Sequence, residues 1–476
     1  MSFVNLKNRY SSGKIHFIGI GGIGMSAIAL ILHKIGCQIQ GSDLSQNNNT
    51  KTLDALGIKC FVGHKEENIT DDVVLVIETS IVKTTNPEFV KAKSRNIPII
   101  RRADMLAEIM SEKQGITVAG THGKTSTTAM IAVLLESAGL DPMVINGGII
   151  NYFGSNAKFG EGKFLVAESD ESDASFVDLP SFIGVVNNIE PEHLEFYGGD
   201  FELVKSYYQR YITQIPASGL VALCIDDPEV KKLYQNLSTT QQNLVSLSVN
   251  DENADYFGFN ISLAASGLKF DVKIKSNGYI IKDIKMPAYG IHNIKNALAP
   301  VAIGIFFGLS EAQIKVGLMN YSGVQRRFTK TGEVNGITII DDYGHHSTEI
   351  KAVFKAARAI LPDHKLIVVF QPHKYTRTRD LFDEFCNAFA DVDTAIIADI
   401  YSAGQDPIAG ITSDVLIKGI KKTGHKNVLK LNSENDLPQL IKEQAKSGDM
   451  VVCIGAGSIS NWAHSLPQKL KEIIDA

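Results

Sequence analysis

Residues 115–136 read GITVAGTHGKTSTTAMIAVLLE, and this stretch decides the fold. Ile116–Ala119 is a short β-branched run with the composition of a buried strand. Gly120-Thr121-His122-Gly123-Lys124-Thr125 is a glycine-rich turn, and Thr127–Leu135 has the apolar spacing of a helix. Strand, glycine turn, Lys-Thr and helix together form a phosphate cradle. Backbone N–H groups at the helix N-terminus face the phosphates, and the helix dipole favours negative charge there. In that arrangement Gly120, Thr121, His122, Gly123 and Ser126 line the loop. Lys124 reaches the β- and γ-phosphates, and Thr125 offers its hydroxyl to Mg²⁺. The longer P-loop pattern wants a glycine five residues before Gly123, where Val118 stands, so only the short form G-x-x-G-K-T is present.

Working outward, the chain of 476 residues is too long for one ordinary core, and several domains are expected. A net charge of −5 recommends no nucleic-acid partner. Five dispersed cysteines without C-x-x-C spacing indicate buried thiols in a reducing compartment, not a disulfide framework. Phe17–Leu32 carries no charge but is shorter than a membrane span and holds four glycines, so it reads as folded structure.

Upstream, Lys14–Ile20 and Gln38–Gly41 read as strands around a helix at Met25–Ile35. Between the first strand and the helix lies Gly19-Ile20-Gly21-Gly22-Ile23-Gly24, a G-x-G-x-x-G turn. Asp43 falls where a dinucleotide fold places its ribose-binding carboxylate. A Rossmann-like unit with a phosphate-bearing ligand follows, the alternative being that the glycines serve helix–strand packing alone. Val73–Ile77 and Pro98–Ile100 continue the strands, Asn86-Pro87 opens a helix, and Ala103–Met110 is another. Lys113-Gln114-Gly115 reads as a linker.

Downstream, the strand Phe164–Glu168 runs into Glu168-Ser169-Asp170-Glu171-Ser172-Asp173. Four carboxylates in six residues fit Mg²⁺ ligation beside a phosphate loop, or else a solvated acidic turn. Asn188 and His193 follow the strand Phe182–Asn188, at the end where open parallel sheets bind ligands. Leu268–Ile284 is a hairpin turning at Asn277-Gly278. Asn293 and Asn296 stand three apart on a helix beginning near Gly290, either facing one ligand or capping. In the last third, strands end in Asp341-Asp342-Tyr343-Gly344-His345-His346 and in Gln371–Arg379. Their histidines, Lys374 and Arg377 suit an anionic or carboxylate substrate.

The motifs GIGGIGMSA (19–27), GTHGKT (120–125), ESDESD (168–173), Asn188–His193, His292–Asn296, Arg326-Arg327, Asp341–His346, Gln371–Arg379 and DIYSAG (399–404) together resemble the Mur ligase family along the whole chain. The resemblance implies an α/β protein of three domains. These are an N-terminal Rossmann-like UDP-substrate domain (1–113), a central P-loop-type ATPase with a mostly parallel sheet (114–321), and a C-terminal Rossmann-like amino-acid domain (322–476). It implies ATP-dependent, Mg²⁺-assisted joining of L-alanine to UDP-N-acetylmuramate through an acyl phosphate. The setting is the cytoplasm, without nucleic acid or membrane, as a monomer or weak homodimer.

By resemblance, Lys124, His193, His345 and Arg377 are the catalytic set, and Thr125, Glu168 and His193 hold magnesium. His292, Asn293 and Asn296 border adenine, Asp341 the ribose, and Arg327 or Arg326 the γ-phosphate. Tyr343, His345, Lys374 and Arg377 surround alanine and the acyl phosphate. Gly21, Gly22, Ser26, Ser42, Asp43 and Ser80 hold the UDP-sugar. The chain departs from the family pattern at Glu192, Ser347, Lys374 and Gln405, and Lys374 weakens a bidentate carboxylate clamp. Tyr207 and Tyr208 stand where sister ligases carry a carbamylated lysine. An NAD-dependent oxidoreductase would explain Gly19–Asp43 but neither Lys124 nor the acidic run. A sister ligase for whole peptides would need a wider amino-acid pocket. A non-catalytic nucleotide sensor would not keep Lys124, Glu168 and His193 together.

Overall fold

The computed structural model of the chain describes residues 3–79, 81–237, 243–264 and 266–475. Ser80 lies outside the described residues, as does the side chain of Asp173. Three sheets follow one another along the sequence. The first contains β1 (Lys14–Ile18), β2 (Gln38–Asp43), β3 (Lys59–Val62), β4 (Val73–Glu78) and β5 (Ile99–Arg101) in the order β3-β2-β1-β4-β5. All its pairings are parallel.

The second sheet runs from β6 (Gln114–Ala119) through β7 (Met143–Ile150), β8 (Ser155–Lys158), β9 (Phe164–Glu168), β10 (Ser181–Val186), β11 (Leu220–Cys224), β12 (Leu244–Ser248), β13 (Tyr256–Ala264) and β14 (Gly267–Ile274) to β15 (Ile280–Met286). Its order is β15-β14-β13-β12-β11-β10-β6-β9-β7-β8. The phosphate-loop strand β6 lies inside it, parallel to β9 and β10. β6 is therefore buried on both faces, which is why its residues form a continuous apolar run. The third sheet has β16 (Thr329–Val334), β17 (Ile337–Asp342), β18 (Leu366–Phe370), β19 (Thr394–Ile397), β20 (Val428–Lys430) and β21 (Met450–Ile454), ordered β16-β17-β21-β18-β19-β20. Only β16 is antiparallel to its neighbour, across the turn at Asn335-Gly336.

The contacts divide the chain into two compact units. The first comprises 1–260, 270–286 and 294–322, and the second 261–269, 287–293 and 323–476. Two sheets share the first unit because the helix Ile23–Ile35 packs both ways. Its Ile28, Ile31 and Leu32 belong to one core with Met105 and Met110, and also with Met143 and Ile145 of β7 and Leu165 of β9. The expected linker at Lys113-Gln114-Gly115 is corrected accordingly. β6 begins at Gln114, paired with Phe164, and Lys113 donates to the carbonyl of Gly160 at 3.2 Å. No helix among the described residues is long and apolar enough to cross a membrane.

Candidate active site

The turn after β6 is shaped by glycine. Gly120 has φ +131°, and a Cβ there would lie 3.1 Å from the backbone of Asn187 and Asn188. Gly123 has φ +80°, and its Cβ would meet Asn296 Oδ1 at 2.7 Å. Asn188 buttresses the turn from β10. Its Oδ1 accepts from His122 N at 2.7 Å, and its Nδ2 donates to His122 O at 3.1 Å. The helix Lys124–Ser137 starts at Gly123 with no side-chain cap, so its first N–H groups remain available to an anion.

Lys124 Nζ donates to Gly120 O at 2.6 Å, Thr121 O at 3.1 Å and Glu171 Oε2 at 2.6 Å. Burial opposes its charge, but the carboxylates of Glu171, Asp170 and Glu168 outweigh it and raise the lysine pKa. Burial pushes Glu171 up to about 7 in spite of that neighbour. The raised lysine decides the charge state, and the ammonium is retained.

The acidic run divides its work. Glu168 Oε2 accepts from Thr125 Oγ1 at 2.9 Å and from Gly147 N at 2.9 Å. Glu171 takes Lys124, and Asp170 caps Ser172 N at 3.2 Å. Burial works against the charge of Asp170, but Lys124 and then Arg102 hold its pKa low. The solvated acidic turn is thereby set aside. Thr125 and Glu168 present hard oxygens side by side, the donor type that magnesium takes. His193, the third expected ligand, sits in a left-handed conformation with φ +57° and has Glu195 4.0 Å from its Nδ1.

In the first sheet, Gly21 N donates to Asp43 Oδ2 at 2.9 Å, which fixes the glycine turn, and the helix after Gly22 again has no side-chain cap. Two residues expected to touch the UDP-sugar are floor instead. Ser42 is fully buried, bonded to Glu88 at 2.6 Å and His64 at 2.9 Å. Ser26 is buried and donates to Ile23 O at 3.0 Å. For Ser42 the reason is register: it is an inward position of β2, which is flanked by β3 and β1 in a parallel sheet.

Of the asparagine pair, Asn296 faces the phosphate loop, whereas Asn293 Nδ2 donates to Tyr289 O at 2.7 Å. Asn293 also lies 3.2 Å from His292 Nε2. Asp341, expected at the ribose, lies at the end of β17. It has no exposed surface, its Oδ2 accepts from Ser460 Oγ at 2.5 Å, and burial raises its pKa.

The second unit gathers an aromatic and basic cluster at its strand ends. The Tyr343 and His345 rings meet edge to face at 5.2 Å. His345 lies 5.7 Å from His373, and His373 stacks on Tyr401 at 5.6 Å. Arg377 Nη1 is 3.2 Å from His373 Nδ1, and Arg327 is 3.5 Å from Glu349. Burial, reinforced by His345, Arg377, Lys374 and Arg326, pushes the His373 imidazole down to about 3, so it is neutral and accepts. His345 Nδ1 lies 3.0 Å from Tyr343 O, which orients the ring. Lys374 has φ +69°, a strained value for a side-chain-bearing residue beside a site. Gln405 earns its place at a departing position by bonding Thr376 through both amide atoms, at 3.2 Å to N and 2.9 Å to Oγ1.

Sequence reasoning missed Glu171 as the partner of Lys124, and it missed Gly147. A Cβ on Gly147 would lie 2.3 Å from Glu168 Oε2. The glycine pair inside a strand was the available signal, since such glycines mark close approach.

Along the sequence, a Rossmann-like sheet is followed by a sheet with a glycine-turn phosphate cradle and then by a third α/β sheet with a basic strand-end cluster. This defines a multidomain nucleotide-dependent α/β enzyme. Three family models match in order: the Mur ligase family catalytic domain over 14–114, the Mur ligase middle domain over 118–304, and the Mur ligase glutamate ligase domain over 326–457. The chain belongs to the Mur ligase family. It is 47% identical over 465 residues to the UDP-N-acetylmuramate–L-alanine ligase of Rhodospirillum rubrum, covering 97% of this chain and 95% of that protein. Its identity to the enzyme of that name from Caulobacter vibrioides is 46% over 467 residues, with 98% of each covered. The crystal structure of UDP-N-acetylmuramate–alanine ligase from Thermotoga maritima superposes with a TM-score of 0.84 at 28% identity, covering 97% of this chain and 100% of that one.

Proposed function

We infer that this chain is an ATP-dependent ligase that joins L-alanine to the carboxylate of UDP-N-acetylmuramate in peptidoglycan precursor synthesis. The observation that carries the reading is the Lys124 ammonium at an uncapped helix start, beside the paired oxygens of Thr125 and Glu168.

In the reaction, the muramic carboxylate attacks the γ-phosphorus of ATP and ADP leaves. The alanine amine then attacks the acyl phosphate carbon. The tetrahedral intermediate loses a proton and expels phosphate, leaving the amide. Lys124 and the helix N–H groups neutralise charge on the phosphates, which is where preorganised donors act most strongly. Thr125 and Glu168, with His193, are assigned to hold Mg²⁺, which supplies charge neutralisation on the phosphate oxygens when bound. Within the first unit, Gly21, Gly22 and Asp43 are assigned to the UDP-sugar, with Ser26 and Ser42 supporting them from below, and Asn296 to the nucleotide.

Within the second unit, Arg327 is assigned to the γ-phosphate and His292 and Asn293 to adenine. Tyr343, His345, Lys374 and Arg377 are assigned to alanine and the acyl phosphate. A ribose contact by Asp341 requires its carboxylate to leave Ser460. We keep the functional domains at 1–113, 114–321 and 322–476, and assign the protein to the cytoplasm as a monomer or weak homodimer. Phosphate release measured with UDP-N-acetylmuramate, ATP, Mg²⁺ and a panel of amino acids tests the reading. Release dependent on L-alanine is expected, and release indifferent to the amino acid would overturn it.

A further inference from the structure

We propose that Arg326 is a positioning residue for the amino-acid site, one that presets Tyr343 before alanine binds. The proposal rests on the assignment of Tyr343 and His345 to alanine. The two neighbouring arginines do different things. Both guanidinium groups lie over the Tyr343 ring, Arg327 the farther at 5.4 Å, but Arg327 reaches Glu349 whereas Arg326 reaches backbone carbonyls of the turn after β21. Its Nη2 donates to Gly455 O at 3.1 Å and to Gly457 O at 3.4 Å. Its guanidinium carbon lies 4.6 Å from the centroid of the Tyr343 ring, in cation–π contact. Its backbone carbonyl accepts from Tyr343 N at 2.7 Å. One residue therefore grips Tyr343 by ring and by backbone, and ties it to the turn after β21.

That turn is itself rigid. Gln371 Nε2 donates to Ser458 Oγ at 3.1 Å, and its Oε1 accepts from Ile459 N at 3.1 Å. Gly455 has φ +149°, and a Cβ there would lie 2.6 Å from Gln371 O. The anchor for Tyr343 is thus a fixed part of the third sheet. From Tyr343 the packing continues to His345, His373 and Arg377.

Arg326 also has φ +62° and Phe328 φ +48°, so side-chain-bearing residues in left-handed backbone stand on both sides of Arg327. Glycine would suit position 326 better. Such strain persists where the surroundings over-determine it, as the clasp does here.

The same strain supplies a clean experiment. Arg326→Gly removes the guanidinium at a position whose backbone glycine already prefers, so the turn is kept. Arg326→Lys keeps the charge but loses the planar guanidinium that lies over the Tyr343 ring. Steady-state constants are measured with each substrate varied in turn, alongside thermal melting and binding of a non-hydrolysable ATP analogue. We expect KM for L-alanine to rise about tenfold in both variants, KM for ATP to stay within about twofold, and discrimination against glycine and serine to fall.

In a double-mutant cycle with Tyr343→Leu, the effects on alanine KM are expected to be less than additive. If ATP KM rises as much as alanine KM, Arg326 is a phosphate ligand and the proposal is overturned. If melting falls while alanine KM stays unchanged, the clasp is structural only and the proposal is equally overturned. Should Arg326→Gly not fold, Arg326→Lys carries the same comparison. Wild-type enzyme run in parallel separates this from the functional reading: alanine-independent phosphate release there would sink that reading, whatever the variants do.

Discussion

Lys124 Nζ lies 2.6 Å from Glu171 Oε2, and the two carbonyls that complete its hydrogen bonding belong to its own loop. The lysine is therefore aimed by its own turn and by one buried acid. A phosphate entering the loop shares that ammonium with Glu171.

Lys124→Ala is expected to lower the ligation rate by a factor on the order of 10²–10³, the usual effect of removing one preorganised donor to developing charge. Affinity for UDP-N-acetylmuramate should stay near wild type, because the glycine turn at Gly21 is held by Asp43, on a different sheet. Single-turnover rates and equilibrium binding measured on the same preparation check this. Retention of most of the turnover would return the loop to an ordinary turn.

Glu168→Ala is expected to raise the Mg²⁺ concentration required for half-maximal activity. It removes a hard oxygen ligand and also leaves Thr125 Oγ1 and Gly147 N without their acceptor. A Mg²⁺ titration that superposes on wild type would refute the metal assignment.

Arg377→Ala should raise KM for L-alanine strongly and KM for ATP much less. Truncating one member of a buried charge pair commonly costs ~2–5 kcal/mol. Arg379 is the comparison, since it is exposed and its Nε pairs with Asp380 at 2.7 Å. Arg379→Ala should leave both constants near wild type. Equal weakening of alanine and ATP binding in Arg377→Ala would move that residue to the nucleotide.

His373 predicts a pH dependence of stability. Its folded pKa is depressed to about 3 by burial and the surrounding cations. Unfolded chain therefore binds a proton that folded chain refuses, and stability is lost as pH falls from about 6.5 toward 3. Between pH 7.5 and 5.5 this group therefore lowers stability as the pH falls. The melting temperature of the protein should fall more over that range in wild type than in His373→Asn. Parallel melting curves would contradict it.

The phosphate cradle was legible because its signals are local: a β-branched run, glycines at forced dihedrals, and helical spacing within 22 residues. Many of the parallel strands were also within reach, since buried parallel strands are continuous apolar runs. What escaped was set by distant partners. Lys113-Gln114-Gly115 has loop composition, yet pairing of Gln114 with Phe164 and of Gly115 with Leu165 makes the last two strand. Asp341 looks like a ligand in one dimension, but it is buried beside Ser460, 119 residues on. Glu171 and Lys124 are separated by 47 residues, and their meeting depends on the short turn at Glu171–Asp173.

The double-sided packing of the helix Ile23–Ile35 has a consequence for how the molecule can be cut. Its Ile28, Ile31 and Leu32 sit in one core with residues of β7 and β9. Asn156 of β8 also donates to Ile23 O at 2.6 Å. An excised fragment ending near residue 113 would expose that apolar face to water and lose a cross-sheet bond. Residues 14–112 are therefore not a cassette that can be transplanted between ligases by swapping at the sequence boundary. A chimera must carry β7, β8 and β9 along with them, and recombination points that fall between the two sheets will expose that apolar face.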